Sequence, residues 1–326
     1  MNQILSNPFP YSNTNKRYHT FSYASKKIYG SKIAKIPLNA SFTCPNRDGT
    51  KSVGGCTFCS AQGSGDSILL SASSLSSQYE VNLERARRKW PNAKGMAYFQ
   101  SFSNTYPPLE ILKAVYLPFF EDEQVEAIAI ATRTDCFDEE KAAWLEVMQE
   151  KYNKDVWVEF GLQTIHPESE KSFNLCHTKE DARMAIALCQ KHHLRSVLHL
   201  INGLPGEDRS MMIENAQFAS SLHPTALKIH MLHLLENTVL GNAWKKEPFE
   251  LLSLDEYIDI VCDQLEVIDP KIIIERVTGD GMADDLLAPM WTKNKTAVAN
   301  AIDKELVRRQ SMQGRFFDES DLSAKE

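Results

Sequence analysis

Residues 44–59 read CPNRDGTKSVGGCTFC and place three cysteines, Cys44, Cys56 and Cys59, within sixteen positions. The last two form a C-x2-C pair, which lets two thiolates bind one metal centre from a single tight turn. Glycines around them let the backbone curl about such a centre and direct amide N–H groups toward its sulfur atoms. Three thiolates in this turn-rich loop predict a metal site.

Two kinds of metal centre remain open for this spacing. Structural zinc takes four ligands, usually as two pairs, whereas this segment supplies one pair and a single cysteine, with no histidine between residues 20 and 165. A distant histidine would complete a zinc site. A four-iron cluster suits three cysteines better, because its fourth iron is left open to a substrate or a cofactor.

The other cysteines are scattered singly and are interpreted as small buried hydrophobes or incidental thiols. The total of seven is odd, and the N-terminus lacks the pattern of a secretory signal, which argues against a disulfide framework. No apolar run approaches the ~20 residues of a membrane span. We therefore expect a cytoplasmic protein without a membrane partner. These four cysteines are Cys136, Cys176, Cys189 and Cys262.

Composition and charge further limit the class of protein to which this chain can belong. The 326 residues are 43% apolar and 24% charged, typical of a globular protein and unlike collagen, a coiled coil or a disordered chain. The net charge is −7, yet residues 1–60 carry eight Lys or Arg and one acidic residue. This basic segment indicates contact with a polyanion, although a solvated surface of fluctuating charge explains it equally well.

Apolar runs alternate with amphipathic stretches along the chain. The pattern predicts six strands, at 33–39, 95–101, 125–132, 156–163, 196–201 and 226–230. It predicts helices at 73–90, 108–120, 139–152, 179–193, 209–222 and 254–268. Such alternation indicates a parallel sheet with right-handed crossovers. Six units are two short of a full barrel, so we expect an α/β fold, a partial (β/α)6 TIM-like barrel.

Polar residues collect at the carboxyl ends of the predicted strands, where parallel barrels hold their chemistry. The cysteine segment follows the first strand, Gln100 and Ser101 end the second, and residues 132–135 end the third. Glu159 lies within the fourth. Polar groups on apolar strands are unfavourable unless paired or used. Together they predict a ligand-filled barrel mouth, although a structural hydrogen bond explains any one of them as well.

The sequence resembles the radical S-adenosylmethionine (radical SAM) superfamily, and within it the YhcC-like family, in the branch of the Elongator catalytic subunit and the methylthiotransferases. The long gap C-x11-C, where the superfamily commonly has C-x3-C, is typical of this branch. The matching stretches follow family order over most of residues 20–240. They are NASFTCPNRDGTKSVGGCTFC (39–59), YFQSFSNTY (98–106), ATRTDC (131–136), VEFGLQTIH (158–166), HLINGLPGED (199–208) and LKIHMLHLLENT (227–238).

The resemblance implies a [4Fe–4S] cluster held by Cys44, Cys56 and Cys59, with the amino and carboxylate groups of SAM on the fourth iron. The reduced cluster would cleave SAM to a 5′-deoxyadenosyl radical that abstracts hydrogen from a substrate. A reducing partner of the flavodoxin or ferredoxin type is also implied.

Further site residues follow from the same resemblance. Arg133 would hold the carboxylate of SAM or an anionic group of the substrate, a bidentate task that suits arginine, and Arg276 is the other candidate for the substrate. Gln100 and Ser101 stand where the superfamily usually has Gly-Gly-Glu. The expected SAM contacts are Phe58 at the adenine, Gln100 and Ser101 at the amino group, Glu159 and Gln163 at the ribose or methionine portion, and Asn202 and Gly203 on the adenine side.

We expect three segments: a basic arm at 1–20, a radical SAM barrel at 21–245, and a C-terminal extension at 246–326 that closes the open side of the barrel and ends in a disordered tail. The expected function is a radical SAM enzyme acting on a tRNA wobble-uridine side chain, with tRNA contacting the basic N-terminal segment. The alternatives are the same chemistry on a small metabolite or a protein side chain, and a non-catalytic metal-binding module.

Strand position also directs His199, His230 and His233 toward the barrel mouth. A satisfied core histidine is the first interpretation of each, and a substrate contact or proton donor is the second.

Overall fold

The computed structural model describes residues 7–61, 63, 74–279 and 284–318. Within these residues, seven parallel strands form one sheet and two short antiparallel strands form another. In chain order the strands are β1 (Ile33–Leu38), β2 (Lys94–Phe99), β3 (Val125–Arg133), β4 (Asp155–Gln163), β5 (Arg195–Asn202), β6 (Ala226–Met231), β7 (Leu234–Leu235), β8 (Ile273–Arg276) and β9 (Leu286–Ala288).

The large sheet confirms the partial barrel and adds a strand to it. Its order is β1-β2-β3-β4-β5-β6-β8, all parallel and curled into a half-barrel. The six predicted strands are found within two residues of their expected ends. The seventh, β8, pairs with β6 only after an excursion of more than forty residues. Residues 272–274 read as strand-like in the sequence, but strand–helix alternation does not predict that they extend the sheet beside β6.

Helices cover the outer face of the sheet. The six predicted ones are found within two residues of their expected ends, and side-chain caps such as Asp138 and Thr178 mark where they begin. The described helices are α1 (Phe21–Tyr29), α2 (Leu75–Lys89), α3 (Leu109–Glu121), α4 (Glu139–Tyr152), α5 (Pro167–Ser172), α6 (Lys179–Lys191), α7 (Arg209–Ser221), α8 (Val239–Lys246), α9 (Leu254–Val267) and α10 (Lys295–Arg308). None of them combines the length and apolar character of a membrane span.

Strand alternation divides the barrel interior into layers. At the amino end of the strands the inward residues are apolar, as with Ile33, Met96 and Trp157, and they form a core of their own. Helix α1 packs against β1 and β8 and contributes Ala24 to this core. Tyr29 accepts a 2.8 Å hydrogen bond from the indole of Trp157. The barrel is therefore plugged at this end, which leaves its carboxyl end for a site.

The two ends of the chain lie side by side. Lys16 pairs with Asp303 of α10, and the Arg17 guanidinium donates to the Ser311 carbonyl at 3.2 Å. Thr20 forms a parallel bridge with Ile274 of β8. Much of the basic arm is thus packed against the C-terminal segment. Residues 1–6 of the arm, and residues 319–326 of the tail predicted to be disordered, lie outside the described residues.

Candidate active site

A cavity of about 300 Å³ opens at the carboxyl ends of the parallel strands. Parallel barrels concentrate their chemistry there. Most of the residues singled out from the sequence line this cavity, although they are spread over more than 230 positions of the chain. Those that line it are Cys44, Cys56, Phe58, Cys59, Gln100, Arg133, Glu159, Gln163 and Arg276.

Two asparagines hold the cysteine loop in shape. Asn46 is fully buried, donates to the carbonyls of Asn174 at 2.5 Å and Leu175 at 3.0 Å, and accepts from the Gly55 amide at 2.8 Å. The Asn174 side chain donates back to the Gly55 carbonyl at 2.9 Å. Gly55 has φ +83°, and a β-carbon there would lie 3.0 Å from Nε of Arg47. The loop therefore needs glycine where it turns beside the thiols.

The three thiols form one electrostatic group. The pKa of Cys56 is raised to about 12, mainly by burial and also by the nearby Cys59 and Cys44, while Arg133 acts in the opposite direction. Three thiolates this close would repel one another, so the loop favours protonated thiols until a cationic group neutralises them. A bound iron–sulfur cluster would supply that charge. No three His, Cys, Asp or Glu side chains among the described residues are arranged to hold a single metal ion. The three thiols of this cavity fit a thiolate-bound cluster by their chemistry.

An ion-paired arginine stands behind the thiols. Arg133, at the end of β3, donates from Nε and Nη2 to the two carboxylate oxygens of Asp135 at 2.8 and 2.9 Å. Lys51, within the cysteine loop, pairs with Asp135 at 2.5 Å. Although burial raises the pKa of Asp135, Arg133 and Lys51 hold it at about 2. The same carboxylate thus joins the cysteine loop to the barrel wall.

A charged layer lies beneath the cavity, above the apolar plug. Glu159 of β4 is fully buried and pairs with Lys35 of β1 and Lys228 of β6. Lys35 and Lys228 also pair with Glu275 of β8, at 2.6 and 3.4 Å. Although burial raises the pKa of Glu159, the two lysines hold it well below its usual range. His199 of β5 lies 3.1 Å from the same carboxylate. The carboxylate of Glu159 is therefore occupied by protein partners, although the residue lines the cavity.

Several histidines line the cavity in their neutral form. Burial lowers the pKa of His177 and of His233 to about 4, and that of His230 well below its usual range. Among the described residues, His177 Nδ1 and His230 Nε2 have no hydrogen-bond partner. With its amide turned to satisfy its neighbours, Gln163 donates to His177 Nε2 at 3.1 Å. His177 thus joins the site, although the sequence analysis does not single it out.

Three of the expected SAM contacts lie behind the cavity wall. Asn202 and Gln264 of α9 exchange two amide hydrogen bonds of 2.7 and 2.9 Å, so the Asn202 side chain points away from the cavity. The Gly203 amide faces Met212 Sδ at 3.3 Å. Ser101 is buried and does not line the cavity. These three residues therefore do not line the cavity in this structure, and their contact with SAM stays a prediction.

Family models match most of the chain. The radical SAM superfamily model covers residues 42–219, and the Radical SAM C-terminal domain model covers residues 224–308. This chain belongs to the radical SAM superfamily. Members of the superfamily bind a [4Fe–4S] cluster and SAM and need an electron donor. The cluster therefore takes precedence over the zinc alternative at Cys44, Cys56 and Cys59.

Relatives of this radical SAM protein extend along nearly its whole length. The uncharacterized protein YtqA of Bacillus subtilis is 44% identical over 96% of this chain and 97% of its own length. Protein YhcC of Escherichia coli is 27% identical over 85% and 88%, in agreement with the YhcC-like resemblance. A tRNA uridine(34) acetyltransferase of Methanocaldococcus jannaschii is 28% identical over 47% of this chain and 28% of its own length.

A solved structure shares the fold. The Elp3 protein of Methanocaldococcus infernus, with an N-terminal deletion, superposes with a TM-score of 0.61 at 17% identity. The match covers 87% of this chain but only 64% of that one, so this chain spans less than two thirds of its length. The likeness supports the radical SAM half-barrel.

Proposed function

We propose that this radical SAM enzyme acts on tRNA, at the side chain of the wobble uridine, and converts a carboxymethylaminomethyl group to an aminomethyl group. The observation that carries the proposal is the similarity to a relative named for its action on uridine 34 of tRNA. The reaction begins with abstraction of a hydrogen atom from the carbon next to the substrate carboxylate. The cavity and the surface of the protein both support this substrate.

The cavity supports an anionic group at its end near β6 and β8. Arg276 lines the cavity together with His230 and lies above the charged layer, in which two lysines face two carboxylates. Arg276 thus adds a guanidinium group to the cavity wall at this end. Arg133 is bound to Asp135 through Nε and Nη2 and donates from Nη2 to the Cys176 carbonyl at 3.1 Å. Both arginines line the cavity, so Arg276 and Arg133 are the two candidates for the substrate carboxylate, and Arg276 is the one tested below.

A basic surface supports contact with nucleic acid. We define it as Lys32 and Lys89, which contact Trp90, together with Lys26 and Lys27 of α1. The ammonium groups of Lys32 and Lys89 lie 3.9 and 4.8 Å from the centroid of the Trp90 ring. Burial lowers the pKa of Lys32, and Lys89 and Lys26 lower it further, as expected for crowded cations. Such a cluster attracts phosphates.

The basic surface and the cavity lie at opposite ends of β1. Lys32 precedes this six-residue strand, so the two are about 20 Å apart along the barrel. A small metabolite cannot contact both places, whereas a folded RNA can. This separation favours tRNA over a metabolite.

The proposed reaction oxidises the substrate by two electrons. A cluster held by Cys44, Cys56 and Cys59 would supply the electron for cleavage of SAM, which would yield methionine and take up the hydrogen atom. Loss of one hydrogen atom, one electron and the N–H proton leaves a C=N bond, which water hydrolyses to the aminomethyl group and glyoxylate. The electron would return to the cluster, so SAM would be the two-electron oxidant. A flavodoxin or ferredoxin supplies the first electron.

The test is anaerobic reconstitution followed by incubation with reductant, SAM and tRNA from a strain that lacks the gene. We expect tRNA to stimulate formation of 5′-deoxyadenosine, and mass spectrometry to show the carboxymethylaminomethyl nucleoside replaced by the aminomethyl one. The Cys56→Ala variant is the control without a complete cluster site. Two results would favour a metabolite or protein substrate instead. They are a rate of SAM cleavage that does not change when tRNA is added, and an unchanged nucleoside profile in the deletion strain.

A further inference from the structure

The pair of Arg133 and Asp135 is unusual in its position. Arg133 is 7% exposed, lines the cavity that holds the three cysteine thiols, and ends β3, which β2 separates from β1, the strand that precedes the cysteine loop. Asp135 is shared between Arg133 and Lys51, and Lys51 lies between Cys44 and Cys56 in the sequence. Two cations and one anion therefore stand beside the thiols, with a net charge of +1.

The bonding of Arg133 argues against a mainly substrate-binding role. Two of its nitrogens hold Asp135, and one of these also donates to the Cys176 carbonyl at 3.1 Å. The N–H groups of Nε and Nη2, which would bind a second carboxylate in bidentate fashion, are thus already engaged. The guanidinium still acts through its positive charge, because it is buried where water screens charges only weakly.

We propose that Arg133 and Asp135 set the reduction potential of the iron–sulfur cluster held by Cys44, Cys56 and Cys59. Reduction adds a negative charge to the cluster, and a nearby positive charge stabilises the reduced form. Arg133 therefore raises the potential, and Asp135 offsets part of that effect while holding the guanidinium in place. The inference rests on the cofactor of the family and is independent of the proposed tRNA substrate.

The experiment is a redox titration of the reconstituted cluster, followed by electron paramagnetic resonance. We expect Arg133→Met to shift the midpoint potential to more negative values and Asp135→Asn to shift it to less negative values. Arg133→Lys keeps the charge and should stay closer to the wild type than Arg133→Met. A purely structural role would not shift the two neutralising variants in opposite directions.

A matched control is Arg195→Met, which breaks the Arg195–Asp155 pair of 3.0 Å at the amino end of β4 and β5. It should leave the potential unchanged. Iron content of each variant shows whether the cluster has loaded. If Arg133→Met fails to load, Asp135→Asn and Arg133→Lys still decide the matter. Shifts of the same sign in Arg133→Met and Asp135→Asn, or an unchanged potential in Asp135→Asn, would overturn the proposal.

Discussion

Lys35 and Glu275 form an ion pair across the open side of the half-barrel, with Nζ 2.6 Å from Oε2. Lys35 is on β1 and Glu275 on β8, the two edge strands of the sheet. No backbone hydrogen bonds join these edges among the paired strands described, because the barrel is incomplete. A buried charge network therefore links the two strands that a closed barrel would join by main-chain pairing.

The first prediction concerns the stability that this pair contributes. Lys35→Met leaves Glu159 and Glu275 to share Lys228, and an uncompensated buried carboxylate is costly. We expect the free energy of unfolding in urea to fall by about 3 kcal/mol. Adding Glu275→Gln to that variant should restore part of the loss, because the charges balance again.

The control for this prediction is Lys94→Met, which removes a comparable pair with Glu126 from the surface. The two side chains of that pair are 43% and 31% exposed. Exposed pairs contribute less than about 1 kcal/mol. Equal losses for Lys35→Met and Lys94→Met would show that the buried network does not stabilise the barrel.

The second prediction separates structure from SAM binding at Asn202. Asn202→Ala leaves the amide of Gln264 without its reciprocal partner, a loss of about 1–3 kcal/mol in stability. Gln264→Ala should cost a similar amount, and the double variant less than the sum. SAM affinity of the reconstituted protein should stay within about twofold of the wild type. A large drop in affinity without loss of stability would place Asn202 at the cofactor.

The fold is largely predictable because its signals are local. The six strands of the barrel that alternate with helices are read from apolar runs, and their ends agree within two residues. Strand β8 is the exception. Its pairing with β6 depends on a long connection and on α1, which packs against both β8 and β1. The apolar run at 272–274 is strand-like in the sequence, but the non-local contacts that place it in the sheet leave no periodicity there.

The site is less predictable because it depends on side-chain direction and partners. Gln100, Arg133 and Gln163 lie at the carboxyl ends of their strands and line the cavity, as their positions in the sequence predict. Position alone does not show that the side chain of Asn202 is hydrogen-bonded to Gln264 instead. Lys35 and Lys228 are not singled out in the sequence. The signal that would have found them is a charge at an inward position of an otherwise apolar strand.

The third prediction concerns pH. Burial holds the pKa of His233 at about 4, below the ~6.5 of an unfolded chain, so the unfolded state binds its proton first as the pH falls. Stability is therefore lost between pH 6.5 and 4, by up to about 3 kcal/mol from this residue. His233→Gln should flatten the dependence of unfolding free energy on pH. His193→Asn, at an exposed position, should leave the slope unchanged; an equal effect would argue against the assignment.

The fourth prediction tests Arg276 as the carboxylate-binding residue. The wild type should bind tRNA carrying the carboxymethylaminomethyl group more tightly than tRNA carrying the aminomethyl group. Arg276→Met should remove about ten- to a hundredfold of that preference, the contribution of a charge-assisted hydrogen bond, and Arg276→Lys should keep part of it. Binding measured with both tRNAs decides the matter. The exposed Arg183→Met is the control, and an unchanged preference in Arg276→Met would exclude the role.

The fifth prediction concerns the basic surface around Trp90. Replacing Lys26, Lys27 and Lys89 by Gln removes three exposed cations while the barrel and the cavity stay intact. If each contacts a phosphate, tRNA affinity should fall and the slope of log affinity against log salt should decrease by about 3.

The matched control for the basic surface replaces three exposed lysines on other helices by Gln. They are Lys151 of α4, Lys171 of α5 and Lys179 of α6. It makes the same change in net charge, so an effect of overall charge alone would appear in both triple variants. We expect the control to keep the salt slope of the wild type, because the three lysines lie on three different helices, whereas Lys32 and Lys89 meet over one ring, that of Trp90. Equal losses of affinity in both variants would mean that tRNA is attracted without a defined surface. An unchanged affinity in the variant of Lys26, Lys27 and Lys89 would move the tRNA contact to another face of the protein.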